Sequence, residues 1–527
     1  MGRWGTRPRR PQEGIPIRRR TAHGLALVTG LSLLAACTGA SDDEQASPPE
    51  GGEDGGDGRV RAVLRAQDTP TTVLPVDSPA DAAAALSAHL LASSPSVVIG
   101  EEDPATLDLA AALAATDGVP LLLPAPSTTA EVRRLGAGEV LTVGARATTW
   151  AEQTFTGPDD PPVRAHETSG PVAAPDPGED GGTTLLVTGA GWEAAAAATA
   201  RALGVQVLTV PGADPRAGAT TVDALHAGAG RTGSGAGRHV VGLGSAFGPP
   251  EVFASRTAVA STGIHVPGGG QLPLAGRRAV ALYGTPGTPS LGVLGEQSLP
   301  QTLDRARALA ARYDGLGGLP AVPTLEIITT VAAGSPGSDG DYSTELDPDD
   351  LEPWVDRAGR EGVAVVLDLQ SGRSDFLTQA RRYEQLLRYP HVGLALDPEW
   401  RLGPDQRPLQ QIGSVDVAEV NAVADWLAGF VRDRTLPQKV FLLHQFRTSM
   451  VRDREELDVG HDELVTVVHA DGHGTPGNKE ATYRALTRQG PAGLLWGWKN
   501  FLDEDTPTFT PQQTAALEPP PVFVSYQ

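Results

Sequence analysis

From residue 279 to residue 526, short runs of aliphatic and β-branched residues alternate with amphipathic stretches of helical length, and this rhythm narrows the available folds more than any other feature of the chain. Strands are expected at 279–284, 324–331, 363–369, 392–396, 439–445, 464–470, 493–498 and 522–526. Helices are expected at 300–313, 349–361, 375–389, 417–434 and 478–487. About eight strands in about 250 residues, most followed by a helix, match the size and order of a (β/α)8 barrel. The Pro/Gly-rich stretch PGGGQLPLAG at 267–276 sets its start, so the barrel is assigned to 277–527. The eighth strand closes the series, so the eighth helix is expected to be absent or supplied from elsewhere.

Barrel enzymes keep their chemistry at the C-terminal ends of the strands, which directs attention to the residues that end these runs. The stretch VGLALDPEW at 392–400 closes on Asp397 and Glu399. If the strand continues, alternation places Ala395, Asp397 and Glu399 on one face. Ala364, Val366 and Asp368 share a face of the preceding strand in the same way. Paired acids at strand ends suit general acid/base work, and mutual repulsion raises a carboxyl toward the pKa a general acid needs. The plainer alternative is that the pair caps the next helix or meets an arginine. Glu326, His444, Gln445, His469, Asp471, Trp496, Trp498, Lys499 and Asn500 fall in or at the ends of the other strands.

Indoles beside carboxylates are what a sugar site uses, because pyranose C–H faces stack on aromatic rings while acids handle the glycosidic oxygen. Asp368, Asp397 and Glu399 are therefore the catalytic candidates, and Trp496, Trp498, His444, Lys499 and Asn500 the substrate-binding ones. His469, Asp471 and His473 in HADGH are of metal-ligating type, but the segment also reads as a Gly-rich βα loop; no metal is assigned and no cofactor is expected. The stretch GLALDPEW partly resembles the D-G-x-D-x-D-x-E strand of family 18 glycoside hydrolases, with Gly393, Asp397 and Glu399 at matching positions. That resemblance implies Glu399 as general acid and Asp397 as the residue orienting a substrate N-acetyl group. Val392 and Ala395 stand where the family has its first two aspartates, and Pro398 where an aromatic is common.

Residues 62–266 read as a mixed α/β region with parallel strands in which one order of elements occurs twice, the two copies separated by a Pro/Gly/Asp-rich linker at 156–182. The first copy has helix 80–92, strand 96–100, helix 104–116, strand 120–123, helix 128–135 and strand 139–143. The second has strand 184–188, helix 192–203, strand 206–210, helix 221–227 and strand 239–242. On Asp108, Leu109 and Ala110, then 118–123, then Val143-Gly144, the region resembles the cell wall-binding repeat 2 family, which implies attachment to wall polymers. Thr188 to Ala194, TGAGWEA, also has the form of a dinucleotide fingerprint. No acid ends the following strand, and a tight strand-to-helix turn that needs glycine is the favoured reading.

The N-terminus completes the organisation. Arginines precede GLALVTGLSLL at 24–34, a run of signal-peptide length too short to span a bilayer, whose last residue opens the sequence Leu34-Ala35-Ala36-Cys37, with Cys37 the single cysteine of the chain. This resembles the lipobox of bacterial lipoproteins and implies a signal peptide at 1–36, lipidation of Cys37, and anchoring to the outer face of the cell membrane. Residues 37–61, acidic and rich in Gly, Pro and Ser, read as a flexible tether. A net charge of -22 argues against nucleic acid as a partner. The functional expectation is a lipid-anchored, wall-associated envelope protein whose glycosidase-like barrel hydrolyses an N-acetylated glycan. A non-catalytic glycan-binding lipoprotein and a metal-dependent hydrolase are the alternatives.

Overall fold

The structure, a computed structural model, describes residues 62–166, 182–229 and 238–527. The expected signal segment, Cys37, the tether and most of the expected linker lie outside the described residues. Eight parallel strands form the C-terminal half: β1 Arg278–Gly284, β2 Ala321–Ala332, β3 Ala364–Leu369, β4 Val392–Leu396, β5 Lys439–Gln445, β6 Leu464–Ala470, β7 Leu495–Asn500 and β8 Phe523–Tyr526. Each pairs in parallel with the next, and β8 pairs with β1, which closes the barrel.

Alternation explains what fills it. Ala279, Ala281, Val366, Ala395, Val440, Leu442, Val467 and Phe523 pack together with Leu274 inside the barrel. The residues between them, including Leu282, Leu325, Val365, Leu367, Leu394, Phe441 and Val468, face the surrounding helices. One step of two residues beyond the interior apolar layer, the inward positions turn polar: Tyr283 follows Ala281, Asp368 follows Val366, His444 follows Leu442, His469 follows Val467 and Ser525 follows Phe523. The interior is apolar at one end and ionisable at the other. Gly497 keeps β7 from crowding this layer, since a Cβ there would lie 2.2 Å from Nδ1 of His469.

Helices Leu299–Ala311, Pro348–Arg360, Val417–Asp433, Pro476–Thr487 and the short Pro511–Ala515 follow β1, β2, β4, β6 and β7. The helix expected at 375–389 is broken into Phe376–Arg382 and Glu384–Leu387, with Tyr383 between them donating its hydroxyl to the carbonyls of Thr329 and Leu346. After β5 the chain makes two short 3-10 turns, Thr448–Met450 and Arg454–Glu456, with the two-residue strand Val451–Arg452 between them. Strand β2 is longer than expected, and Ser343–Glu345 folds back antiparallel on its far end.

The N-terminal half contains two four-stranded parallel sheets. In spatial order the first is Leu121–Leu122, Ser96–Ile99, Glu139–Thr142 and Val163–Ala165, and the second is Gln206–Thr209, Thr183–Val187, His239–Leu243 and Thr71–Leu74. The strand at Thr71–Leu74 precedes everything in the first sheet yet forms the edge of the second. One apolar core runs through both, and Thr199, on helix Ala194–Ala202, exchanges two 2.9 Å hydrogen bonds with the backbone of Leu121. The glycine of the Val143-Gly144 pair that ends a central strand of the first sheet has a steric cause. Gly144 sits at φ 102°, and a Cβ on it would strike the Glu101 carboxylate, which instead caps helix Ala145–Thr154 through the N–H groups of Arg146 and Ala147. The two halves meet at Asp462, just before β6, which pairs with Arg216 and Arg256. Among the described residues no helix is long and apolar enough to cross a membrane.

Candidate active site at the barrel mouth

His444 stands at the centre of the polar layer. Its Nε2 donates to Oε1 of Glu326 at 2.9 Å, lies 3.7 Å from Oδ1 of Asp368, and its Nδ1 donates to Oδ2 of Asp471 at 3.1 Å. On the other side of Asp368, the Tyr283 hydroxyl donates to Oδ2 at 2.8 Å, and Lys499 sits with Nζ 3.3 Å from the centre of the Tyr283 ring. His469 bonds Oγ of Ser525 at 2.7 Å. Glu326, Asp368, His444 and His469 are fully buried, and Asp397, Asp471 and Lys499 nearly so.

Burial and crowding of like charge decide the protonation states. Burial alone would depress His444, but Asp368, Glu326 and Asp471 outweigh it and hold the imidazole well above its usual range, so both ring nitrogens carry protons. Burial, then the nearby positive charge of His444, Lys499 and Lys479, keeps His469 well below its range and therefore neutral. Burial pushes Asp368 up to about 6, with His444 opposing and Glu326 adding to the rise. Asp397 is driven well above the carboxylate range by burial, then by Asp368, with Asp471 and Glu399 adding further repulsion. Glu399 rises to about 7 through burial and then Asp471, although Lys499, His444 and Arg447 pull the other way. Tyr283 is held far above its range by burial and the surrounding acids, so its hydroxyl remains a donor.

Asp368, Asp397 and Glu399 are thus brought into one electrostatic neighbourhood with His444 and Lys499. The expected continuation of one strand face through Glu399 is corrected. Strand β4 ends at Leu396, Pro398 cannot supply a ladder N–H, and Pro398–Trp400 forms a 3-10 turn whose Glu399 N–H is capped by Asp397 Oδ1 at 3.2 Å. Glu399 is consequently half-buried at the rim while Asp397 stays inside.

The indoles are placed differently from the expectation. Because Gly497 and Lys499 point inward, Trp496, Trp498 and Asn500 point outward. Trp498 is 1% exposed, packed against Tyr483 and Phe509, and its Nε1 donates to Asn500 Oδ1 at 3.0 Å. Trp496 packs against the same outer core. Trp496, Trp498 and Asn500 therefore build the β7–helix interface and offer no stacking face to the mouth. Nor do His469, Asp471 and His473 converge: they face Ser525, His444 and Phe501 respectively, with His473 exposed. A different trio, Asp425, Asp458 and His461, brings its ligand atoms within 4.8 Å of one another outside the barrel, and both aspartates are exposed.

Sequence reasoning missed Tyr283 and Ser525. Extending the inward alternation of β1 and β8 by one step finds both. The fingerprint at 188–194 proves to be self-satisfied. The carboxylate of Glu193 accepts the N–H groups of Thr188, Gly189 and Ala190 at 2.8, 2.7 and 2.8 Å, so the donors that would cradle a pyrophosphate are already committed to an internal anion.

The chain matches no protein-family model, no curated protein and no solved structure. Function is argued from this site alone.

Proposed function

We propose that the protein is a lipid-anchored, wall-associated envelope protein whose barrel hydrolyses an amino-sugar-containing glycan by general acid/base chemistry. Glu399 carries this reading: a half-buried carboxyl at the barrel rim, raised to about 7 and backed by the buried Asp397, is poised to hold a proton near neutrality and pass it to a glycosidic oxygen. Asp397, whose neutral form is favoured, orients the sugar. His444 and Lys499 hold the inner acids in place, and Tyr283 fixes Asp368. The partial resemblance of GLALDPEW to the family 18 strand supports the same assignment of acid and helper.

The test uses solubilised envelope glycan and reads new reducing ends. Wild type should release them, and Glu399→Gln should abolish release while still binding the glycan; undiminished turnover in that variant rejects the assignment. A binding-only barrel is the second reading, favoured by the complete burial of Glu326, Asp368 and His444 and by the outward-turned indoles. It predicts glycan binding by wild type without turnover. The anchor is tested separately: Cys37→Ala should move the protein to the soluble fraction, and persistence in the membrane rejects lipidation.

A further inference from the structure

A cavity of about 790 Å³, open to solvent, lies beside the mouth at the C-terminal ends of β2 and β3. One wall is the arm that leaves β2 and returns through Ser343–Glu345, and it contributes Asp339, Asp341 and Glu345. The other is the loop after β3 with helix Phe376–Arg382, which contributes Arg373 and Arg382. Gln379, 3% exposed, ties the walls together: its Nε2 donates to Oγ of Ser343 at 3.2 Å and to Oε1 of Glu345 at 3.3 Å. Arg373 braces the arm, with its guanidinium 4.6 Å from the centre of the Tyr342 ring and Nη1 donating to the Gly340 carbonyl. The spacing of the two walls is therefore set by the fold.

The walls carry opposite charge and do not neutralise each other. Among the described residues, no ion pair joins Asp339, Asp341 or Glu345 to Arg373 or Arg382, and the Arg382 guanidinium donates no hydrogen bond. On neighbouring elements opposite charges within reach do pair: Arg357 with Glu361, Arg360 with Asp356 and Arg401 with Glu419. Within the acidic wall like charges crowd. Burial pushes Asp341 up to about 6, the Ser343 N–H opposes, and Glu345 and Asp339 add to the rise, so above neutrality this carboxylate is ionised without a cation beside it.

We propose that this cavity binds a short peptide with both termini free, its ammonium against Asp341 and Glu345 and its carboxylate against Arg382. Charge-assisted hydrogen bonds at the two ends would use the two walls at once, and a guanidinium takes a carboxylate in fork geometry. A ligand of one sign would satisfy one wall and be repelled by the other. The space exceeds a single small amino acid, and each further residue extends the reach by about 3.3–3.6 Å. The inference does not depend on the saccharide reading above, because none of these residues belongs to the mouth.

The test is calorimetric titration of the full-length protein at mildly alkaline pH with four probes: trialanine, its N-acetyl form, its C-terminal amide and free alanine. Trialanine should bind, and removing either terminal charge or shortening the probe to alanine should weaken binding roughly tenfold or more, the scale of a charge-assisted hydrogen bond. Arg382→Gln should bring trialanine down to the affinity of the amide and leave the amide itself unaffected. Asp341→Asn should do the same relative to the N-acetyl form. Absence of trialanine binding overturns the proposal, as does equal binding of the capped probes or of alanine. Tighter binding of the amide also overturns it, because a cation would then be responding only to the net charge of -22. A variant that weakens capped and free probes alike overturns the placement of that terminus. Should a variant fail to fold, the four probes against wild type still decide. None of these outcomes bears on Glu399, whose test is the release of reducing ends.

Discussion

Replacing Glu399 with glutamine should stabilise the protein in alkali and leave its stability unchanged in acid. The folded carboxyl titrates at about 7, against an ordinary value of 4.5, because it is half-buried and faces Asp471. Folding therefore tightens its hold on the proton, and the stability this contributes is whole below pH 4.5 and lost as the pH rises through 7. A separation of that size corresponds to about 3 kcal/mol at full ionisation. Partial solvation of the rim lowers the expectation to about 2 kcal/mol. Glutamine carries no charge at either extreme and has the same shape, so the variant escapes this loss. Urea unfolding followed by tryptophan fluorescence at about pH 4 and about pH 8.5 reads the effect without any substrate. Wild type and variant should coincide in acid and separate in alkali with the variant the more stable. A difference independent of pH, or a variant weaker in alkali, would refute the placement of Glu399 in a buried acidic field.

Four further outcomes are expected. Tyr283→Phe takes the donor from Oδ2 of Asp368 when Oδ1 already lacks one, so melting should show a loss of about 1–3 kcal/mol. An unchanged melting curve would deny that the bond matters. Gly497→Ala drives a methyl to 2.2 Å from Nδ1 of His469 and 3.1 Å from the Phe523 carbonyl; soluble yield and melting temperature should both fall, with a stability loss of about 1–3 kcal/mol, and a neutral outcome would contradict the tight packing at β7. Asp462→Asn leaves the 3%-exposed Arg216 without its carboxylate across the junction. Hydrogen exchange should then quicken around 214–216 and 256 while β3 to β6 stay protected, and uniform exchange would argue against a local latch. Trp498→Phe should cost stability through lost packing against Tyr483 and Phe509 yet leave saccharide affinity within about twofold; a tenfold loss of affinity would mean that the indole reaches the ligand after all.

The barrel was legible because its signal is redundant. Eight apolar runs with inward small or β-branched residues, separated by helical stretches, leave few alternatives, and the expected strands fall within a few residues of the observed ones. The acids of β3 and β4 were legible for the same reason, since alternation along Ala364, Val366 and Asp368 holds to the end of the strand. It failed at Glu399, where Pro398 ends the ladder and starts a turn. It failed again on β7 for want of parity. Trp496 and Trp498 were chosen for their chemistry, while the glycine between them and the lysine after them define the inward face. His444 shows a different limit: its partners Glu326 and Asp471 lie 118 and 27 residues away, and only closure of the barrel brings them to the two ring nitrogens. The edge position of Thr71–Leu74 was equally hidden, because four residues carry no mark of which sheet they will join.

That edge strand has a mechanical consequence. Tension entering the folded chain from its N-terminal side meets the two-residue pairing of Val63–Leu64 with Leu91–Ser93 first, and then Thr71–Leu74, held along a single side by His239–Leu243. Peeling it would uncover the second sheet while the barrel, whose strands have neighbours on both sides, remained closed. Under load the molecule should therefore yield in steps, with the sheet nearest the pull in bonding order, though not in sequence, giving way before the barrel that carries the acids.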